Sequence, residues 1–341
     1  MKEYFREIYD IQDIHDNLAT KTKIYRVIIR YLVRVFGLSI SEVLISFIYK
    51  IQPLKKNSYI KYILRINLFR ISYLKNLSNL DYKSANFIKK EWADFVSKKS
   101  ASEEDKSGAL HYLAVINEDE NIKLPLNESI IEPRKFYIYG PSATNTPNPK
   151  YSDYTLIHTK PYPKILESFN KELLFLNSYY FMFAVDNNFK VQKELKARYK
   201  KIYVTTMQEH LPEGFNLIDL HKSGYIQSEM ALQRILRFLI KEYEVFDCVI
   251  EGFNFYLEKD AYKNKNYHKL TRKDNNLINE KEICLSLADH DFLFNFKLTK
   301  NLVKRFNLID SNDFREILSF TDDHYLEKLF ISRDFSSLKK I

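Results

Sequence analysis

Glycine is nearly missing from this chain. Only 6 of 341 residues are glycine. Glycine tolerates positive φ and lets backbone approach backbone or ligand closely, so in such a background each one marks a place where a side chain does not fit. Cysteine is scarcer still. Cys248 and Cys284 form no zinc-ligand pattern and no disulfide framework, which points to a reduced, cytosolic compartment. Cys248 lies in an apolar run and reads as a core residue. No run of about 18 uncharged apolar residues occurs, which argues against a transmembrane helix. The first ten residues, M-K-E-Y-F-R-E-I-Y-D, lack the apolar run of a secretory signal. The patterns G-x-x-x-x-G-K-[ST], G-x-S-x-G and H-E-x-x-H are all absent, so P-loop, α/β-hydrolase and zincin chemistry have no motif here.

Acidic residues are missing from one stretch. Between Asn17 and Leu80 there are twelve Lys or Arg against one acid, Glu42, in a chain whose net charge is +9. The basic residues alternate with apolar ones such as Ile24, Val27, Ile28, Leu32, Val43, Leu44, Phe47 and Ile48. Amphipathic basic helices of this kind suit an anionic membrane surface, although a helical domain with a solvated basic face has the same composition. Nucleic acid is not the expected partner, because no helix-turn-helix, RNA-binding or zinc signature accompanies the charge. These features suggest a cytoplasmic protein, peripheral on the inner membrane.

What is present divides the chain in two. Residues 1–95 show apolar positions recurring every three and four residues, the period of helices. Ser97 to Gly108 is a polar break that reads as a loop or linker, and 109–130 is ambiguous. From Pro133 the texture changes to short apolar runs at 136–139, 154–158, 172–177, 201–205, 215–219 and 245–250. Between them lies a helix over Ser228–Glu244, with Leu232, Ile235, Leu236, Leu239 and Ile240 on one face. The chain is again helical from Asp310. Strands alternating with helices imply an α/β fold, a Rossmann-like, mostly parallel sheet with flanking helices. The expected organisation is a basic helical region over 1–130 and an α/β domain over 131–341.

Three glycines lie in short segments that together suit the nucleotide-sugar site of the 131–341 domain: Gly140 in Y-I-Y-G-P-S-A, Gly224 in H-K-S-G-Y and Gly252 in E-G-F-N-F-Y. Two of them follow strand-like runs, and a strand ending in a glycine-bearing turn is where open α/β sheets bind nucleotides. The ordered set is Gly140-Pro141-Ser142, Asn177, Ser223-Gly224, Gly252-Phe253-Asn254-Phe255-Tyr256, Tyr262 six residues beyond Tyr256, and then His290. Over roughly 135–305 this set resembles the small bacterial sialyltransferases of glycosyltransferase family 42, which cap lipooligosaccharides.

The resemblance implies a variant GT-A-type glycosyltransferase. It would be metal-independent and inverting, with a CMP-sialic acid donor, a glycan or glycolipid acceptor and no cofactor. It assigns Tyr256 and Tyr262 to the departing phosphate and His290 to the general base. Gly140, Pro141 and Ser142 would cradle the cytidine phosphate or ribose through backbone groups. Asn177, Gly252 and Asn254 would help hold the donor, and Ser223 with Gly224 the sialic carboxylate. The chain departs from the family in having Ile138-Tyr139 before Gly140, Thr159 or Lys160 where an Asn is expected, and no Arg shortly before Ser223. The acidic sugar therefore stays open among sialic acid, another nonulosonic acid and Kdo. A second enzymatic reading takes Asp289 and Asp291 as a metal site for a nucleotide-diphosphate sugar, since carboxylates at that spacing bind Mg²⁺ or Mn²⁺ with phosphates. A third is a non-catalytic scaffold of a surface-polysaccharide machine.

Overall fold

The computed structural model describes residues 20–51, 59–99, 103–118, 134–140, 142–143, 146–159, 161, 168–169, 171–177, 181, 185–206, 211–219, 229–243, 245–257, 284, 287 and 291–340. Two compact units emerge. One comprises Met1–Ile116, Asn279–Asp289 and Arg333–Ile341, and the other Asn117–Ile278 and His290–Ser332. Both units are discontinuous, which a single boundary near residue 130 does not describe.

The first unit is helical: α1 (Thr20–Ile51), α2 (Tyr59–Ser78), α3 (Tyr82–Lys99) and α4 (Glu103–Ile116). Each packs on the next. Gly37, at φ 72°, breaks α1 into two segments. Leu64, Leu68 and Ile71 recur every three or four residues along α2 and bury against Ile45 of α1. Asp81 starts α3 by accepting the Ser84 N–H at 3.0 Å, satisfying a donor that the first helical turn leaves orphaned. A final 3₁₀ stretch, Phe335–Lys340, packs on α2 with Phe335 and Leu338 fully buried. No described helix is long and apolar enough to cross a membrane. The polar break expected at 97–108 is largely helical, since α3 runs to Lys99 and α4 starts at Glu103. The acidic start E-E-D favours a helix N-terminus, and Lys106 pairs with Glu103 at 2.7 Å. A polar sequence was therefore no sign of a loop.

The second unit is α/β. Its strands are β1 (Arg134–Tyr139), β2 (Thr155–His158), β3 (Glu172–Asn177), β4 (Lys201–Thr206), β5 (Phe215–Asp219), β6 (Phe246–Glu251) and β7 (Asn307–Leu308). They form one sheet in the order β5-β4-β3-β2-β1-β6-β7, and every pair is parallel. The flanking helices are α5 (Phe189–Arg198), α6 (Ala231–Glu242), α7 (Phe292–Leu302), α8 (Asn312–Ser319) and α9 (Asp322–Ser332). A parallel sheet covered by helices buries its strands on both faces, which is why they read as near-continuous apolar runs. All six expected strands are present within two residues of their expected ends. The short polar β7 gave no such signal.

The expected apolar face of α6 is buried at all five positions. Gln233, Arg234 and Arg237 are buried as well. Gln233 donates to Asn295 O at 3.2 Å and to Thr299 Oγ1 at 2.7 Å on α7. Arg237 pairs with Glu229. A helix covered on both sides needs partners for its polar residues; α7 supplies those of Gln233, and Arg234 donates to Thr205 Oγ1 on β4 at 3.4 Å.

The order of the strands positions the site. The chain steps outward from β1 to β5, then returns to place β6 on the other side of β1. The strand order therefore reverses between β1 and β6. In open α/β sheets the crevice at the carboxyl ends of such a strand pair is where ligands bind.

Candidate functional site

Gly140 follows β1 and Gly252 follows β6, so the reversal point brings together two glycines 112 residues apart in sequence. Gly140 donates its N–H to Glu251 O at 2.8 Å, and Ser142 donates to Gly252 O at 3.0 Å. The two loops interlock too closely for side chains. A Cβ on Gly140 would lie 2.4 Å from Gly252 O, and a Cβ on Gly252 would lie 2.5 Å from Ala143 N. Gly252 also has φ +74°. The backbone N–H groups of Gly140 and Ser142 are thus engaged by the β6 loop, and the two loops together form the floor at the strand-order reversal.

The loop that leaves this floor is strained. Phe255 and Tyr256 have φ 48° and 66°, and non-glycine residues there cost on the order of 1–3 kcal/mol each. Packing at Phe255 overrides that cost. Its ring contacts Phe296 at 5.6 Å, Phe314 at 5.7 Å and Tyr325 at 6.3 Å, and its carbonyl accepts the Tyr325 hydroxyl at 3.4 Å. Three aromatic pairs at roughly 0.5–1.5 kcal/mol each, added to about 2–3 kcal/mol for burying the ring, exceed the strain of one residue and go far to offset that of both. Phe255 is the anchor that fixes its neighbours, Asn254 and Tyr256.

Asn254 is 8% exposed. Its Oδ1 accepts the Tyr256 N–H at 3.1 Å. Its Nδ2 is buried with no hydrogen-bond partner among the described residues. A buried donor left unmade costs about 1–3 kcal/mol, and none of the described residues meets this one. Tyr256, half-buried, lies close enough to Tyr325 to act on it electrostatically. Burial pushes the Tyr325 phenol well above its ordinary range, and Tyr256 and Asp291 push the same way.

Asp291 starts α7. It is fully buried in a left-handed conformation, and its carboxylate accepts the Phe294 N–H at 3.0 Å. Asn295 Nδ2 donates to Asp291 O at 2.9 Å, while its Oδ1 accepts the Met230 N–H at 2.9 Å. The cap engages one oxygen of a carboxylate that the metal reading uses; Asp289 lies outside the described residues. So do His290, Tyr262, Pro141, Ser223 and Gly224. Asn177 ends β3 on the same sheet edge, where its backbone pairs with Thr205.

The sequence assigned no role to Glu251, although it lies beside Gly252 in the quoted segment. It ends β6 and accepts the Tyr137 hydroxyl, which also accepts the Asn148 N–H at 3.2 Å. Burial, then the Glu251 carboxylate, push the Tyr137 phenol far above its ordinary range, so tyrosine is the donor. His158 and Glu172, equally unforeseen, form a buried pair at 2.8 Å. Burial lowers the His158 pKa despite the carboxylate, so the pair is a neutral imidazole donating to Glu172. A lone His at the end of an apolar run gives no sequence signal for such a partner.

Set beside protein-family models, curated proteins and solved structures, the chain matches none.

Proposed function

We propose that the α/β unit is a glycosyltransferase. It moves sialic acid or a related acidic sugar from a CMP-linked donor to a glycan or glycolipid acceptor, with inversion and without a metal. On this reading the sheet is that of a variant GT-A-type enzyme. The observation that carries the proposal is the meeting of Gly140 and Gly252 at the strand-order reversal, with the unspent Asn254 amide beside them.

The chemistry follows from charge. The acceptor hydroxyl oxygen attacks the anomeric carbon, the bond to the CMP oxygen breaks, and the phosphate gains negative charge. Phenol donors in a water-poor cleft stabilise charge that develops in the transition state, the role proposed for Tyr256 and Tyr262. His290, immediately before the α7 cap, takes the acceptor's proton, since imidazole titrates near neutral pH. The Asn254 amide donates to the nucleotide or sugar.

Calorimetry with CMP, CDP, UDP and GDP, followed by assay of CMP release from a panel of CMP-linked acidic sugars in excess EDTA, tests the proposal. Preferential CMP binding and chelator-resistant release are expected. A clear preference for UDP or GDP, or activity that EDTA abolishes and Mn²⁺ restores, overturns it. CMP binding without release would leave the scaffold reading.

A further inference from the structure

The second segment of α1, residues 38–51, is apolar on two opposite sides. One side packs on α2 through Ile45, Leu38 and Ile48. The other carries Ile40, Val43 and Phe47, three and four residues apart, which are 53%, 68% and 61% exposed. Val35 and Phe36, just before the break at Gly37, are exposed as well. Single exposed apolar residues are ordinary, and the others among the described residues, such as Leu80, Leu110 and Phe189, are far apart in sequence. Ile40, Val43 and Phe47 line one side of a single helical segment, and such an apolar stripe left exposed marks an interaction surface.

Charge decides what covers it. Residues 17–80 hold twelve Lys or Arg and one acid. That acid, Glu42, is turned onto α2, where it accepts from Ser72 Oγ at 2.7 Å and Lys75 Nζ at 2.8 Å. The exposed side of the segment therefore bears no carboxylate, and Lys50 stands exposed near its end. A second copy would set one strongly basic region against another, which disfavours self-association.

We propose that this face lies in the interfacial plane of an anionic lipid membrane, with Phe36, Ile40, Val43 and Phe47 among the upper acyl chains and the basic residues meeting lipid phosphates. An in-plane helix binds through buried apolar area together with attraction to anionic headgroups. This inference does not rest on the enzymatic reading.

The test is co-sedimentation of the full chain with phosphatidylglycerol and phosphatidylcholine vesicles, with light scattering for oligomeric state. Binding to phosphatidylglycerol, weaker binding to phosphatidylcholine and release by salt are expected. Phe47→Glu and Val43→Glu should each weaken vesicle binding by roughly tenfold or more, because each removes an inserted apolar side chain and adds charge of the lipid's own sign. Phe189→Glu, at an exposed site in the α/β unit, should change nothing. Circular dichroism confirms that the variants fold. Binding to neither vesicle, equal binding to both, or undiminished binding by folded Phe47→Glu and Val43→Glu overturns the proposal. So does a dimer that these substitutions dissolve.

Discussion

Asn254 accepts the Tyr256 N–H through its Oδ1, and its Nδ2, buried one residue from the aromatic anchor Phe255, has no hydrogen-bond partner among the described residues. On the proposed function the oxygen serves folding and the nitrogen serves the ligand. Substitutions can separate the two tasks.

Asn254→Asp keeps an oxygen for the Tyr256 N–H and removes the donor. Hydrogen bonds to charged groups contribute about 1.5–3 kcal/mol, so nucleotide affinity should fall roughly 10- to 150-fold while the protein remains folded. Isothermal calorimetry with CMP measures this. An unchanged affinity in a folded variant would remove Asn254 from the site.

Gly252→Ala meets the Ala143 backbone and a left-handed φ together. Left-handed backbone costs roughly 1–2 kcal/mol and overpacking roughly 1–3, so urea denaturation should show a loss of about 2–5 kcal/mol. Gly37→Ala has open space around it, but φ 72° and ψ 177° lie in a region almost confined to glycine, so the backbone alone should cost about 1–3 kcal/mol there. A Gly252→Ala loss below about 1 kcal/mol would mean that the loops do not interlock as described.

His158 gives a pH dependence of stability. Its folded pKa lies below the ordinary value because burial disfavours the charged ring. Above the unfolded pKa of about 6.5 both states are neutral at this residue. As pH falls below that value the unfolded chain takes up a proton that the folded chain refuses, so stability declines towards the folded pKa by up to about 1.4 kcal/mol per pH unit. Urea midpoints measured from pH 7.5 downward should show this slope, and His158→Gln should flatten it. A slope unchanged by the substitution would assign the effect to other groups.

His290→Asn should reduce transfer by roughly 10²- to 10⁴-fold, the usual contribution of a positioned base. Tyr256→Phe should reduce kcat by roughly 10- to 1000-fold, with a smaller effect on CMP affinity because the charge grows only in the transition state. The acid limb of kcat/KM should vanish in His290→Asn. A folded His290→Asn protein with near wild-type transfer would pass the role to another group.

Period and glycine scarcity made much of this architecture legible. Six strands and the α6 face could be read because burial on two faces writes itself as apolar runs, and burial on one face as a helical stripe. Gly140 and Gly252 stand out because glycine is rare, but their interlocking could not be read. Sequence cannot distinguish a glycine that admits a ligand from one that admits another loop, and the partner loop lay 112 residues away. The Tyr137–Glu251 and His158–Glu172 pairs were invisible for a related reason: each joins different strands, and no local spacing encodes their register. Helix α4 was missed because an exposed polar helix and a polar loop share a composition.

The final 3₁₀ stretch has a consequence for synthesis. Phe335 and Leu338 complete the burial around α2, yet the ribosome makes them after the last residue of the α/β unit, Ser332. The helical unit begins first and is finished last. A nascent chain can therefore close its parallel sheet while α2 still exposes the surface that these residues cover. Chain breaks after Ser332 should spare the sheet and injure the helices at the opposite end of the sequence.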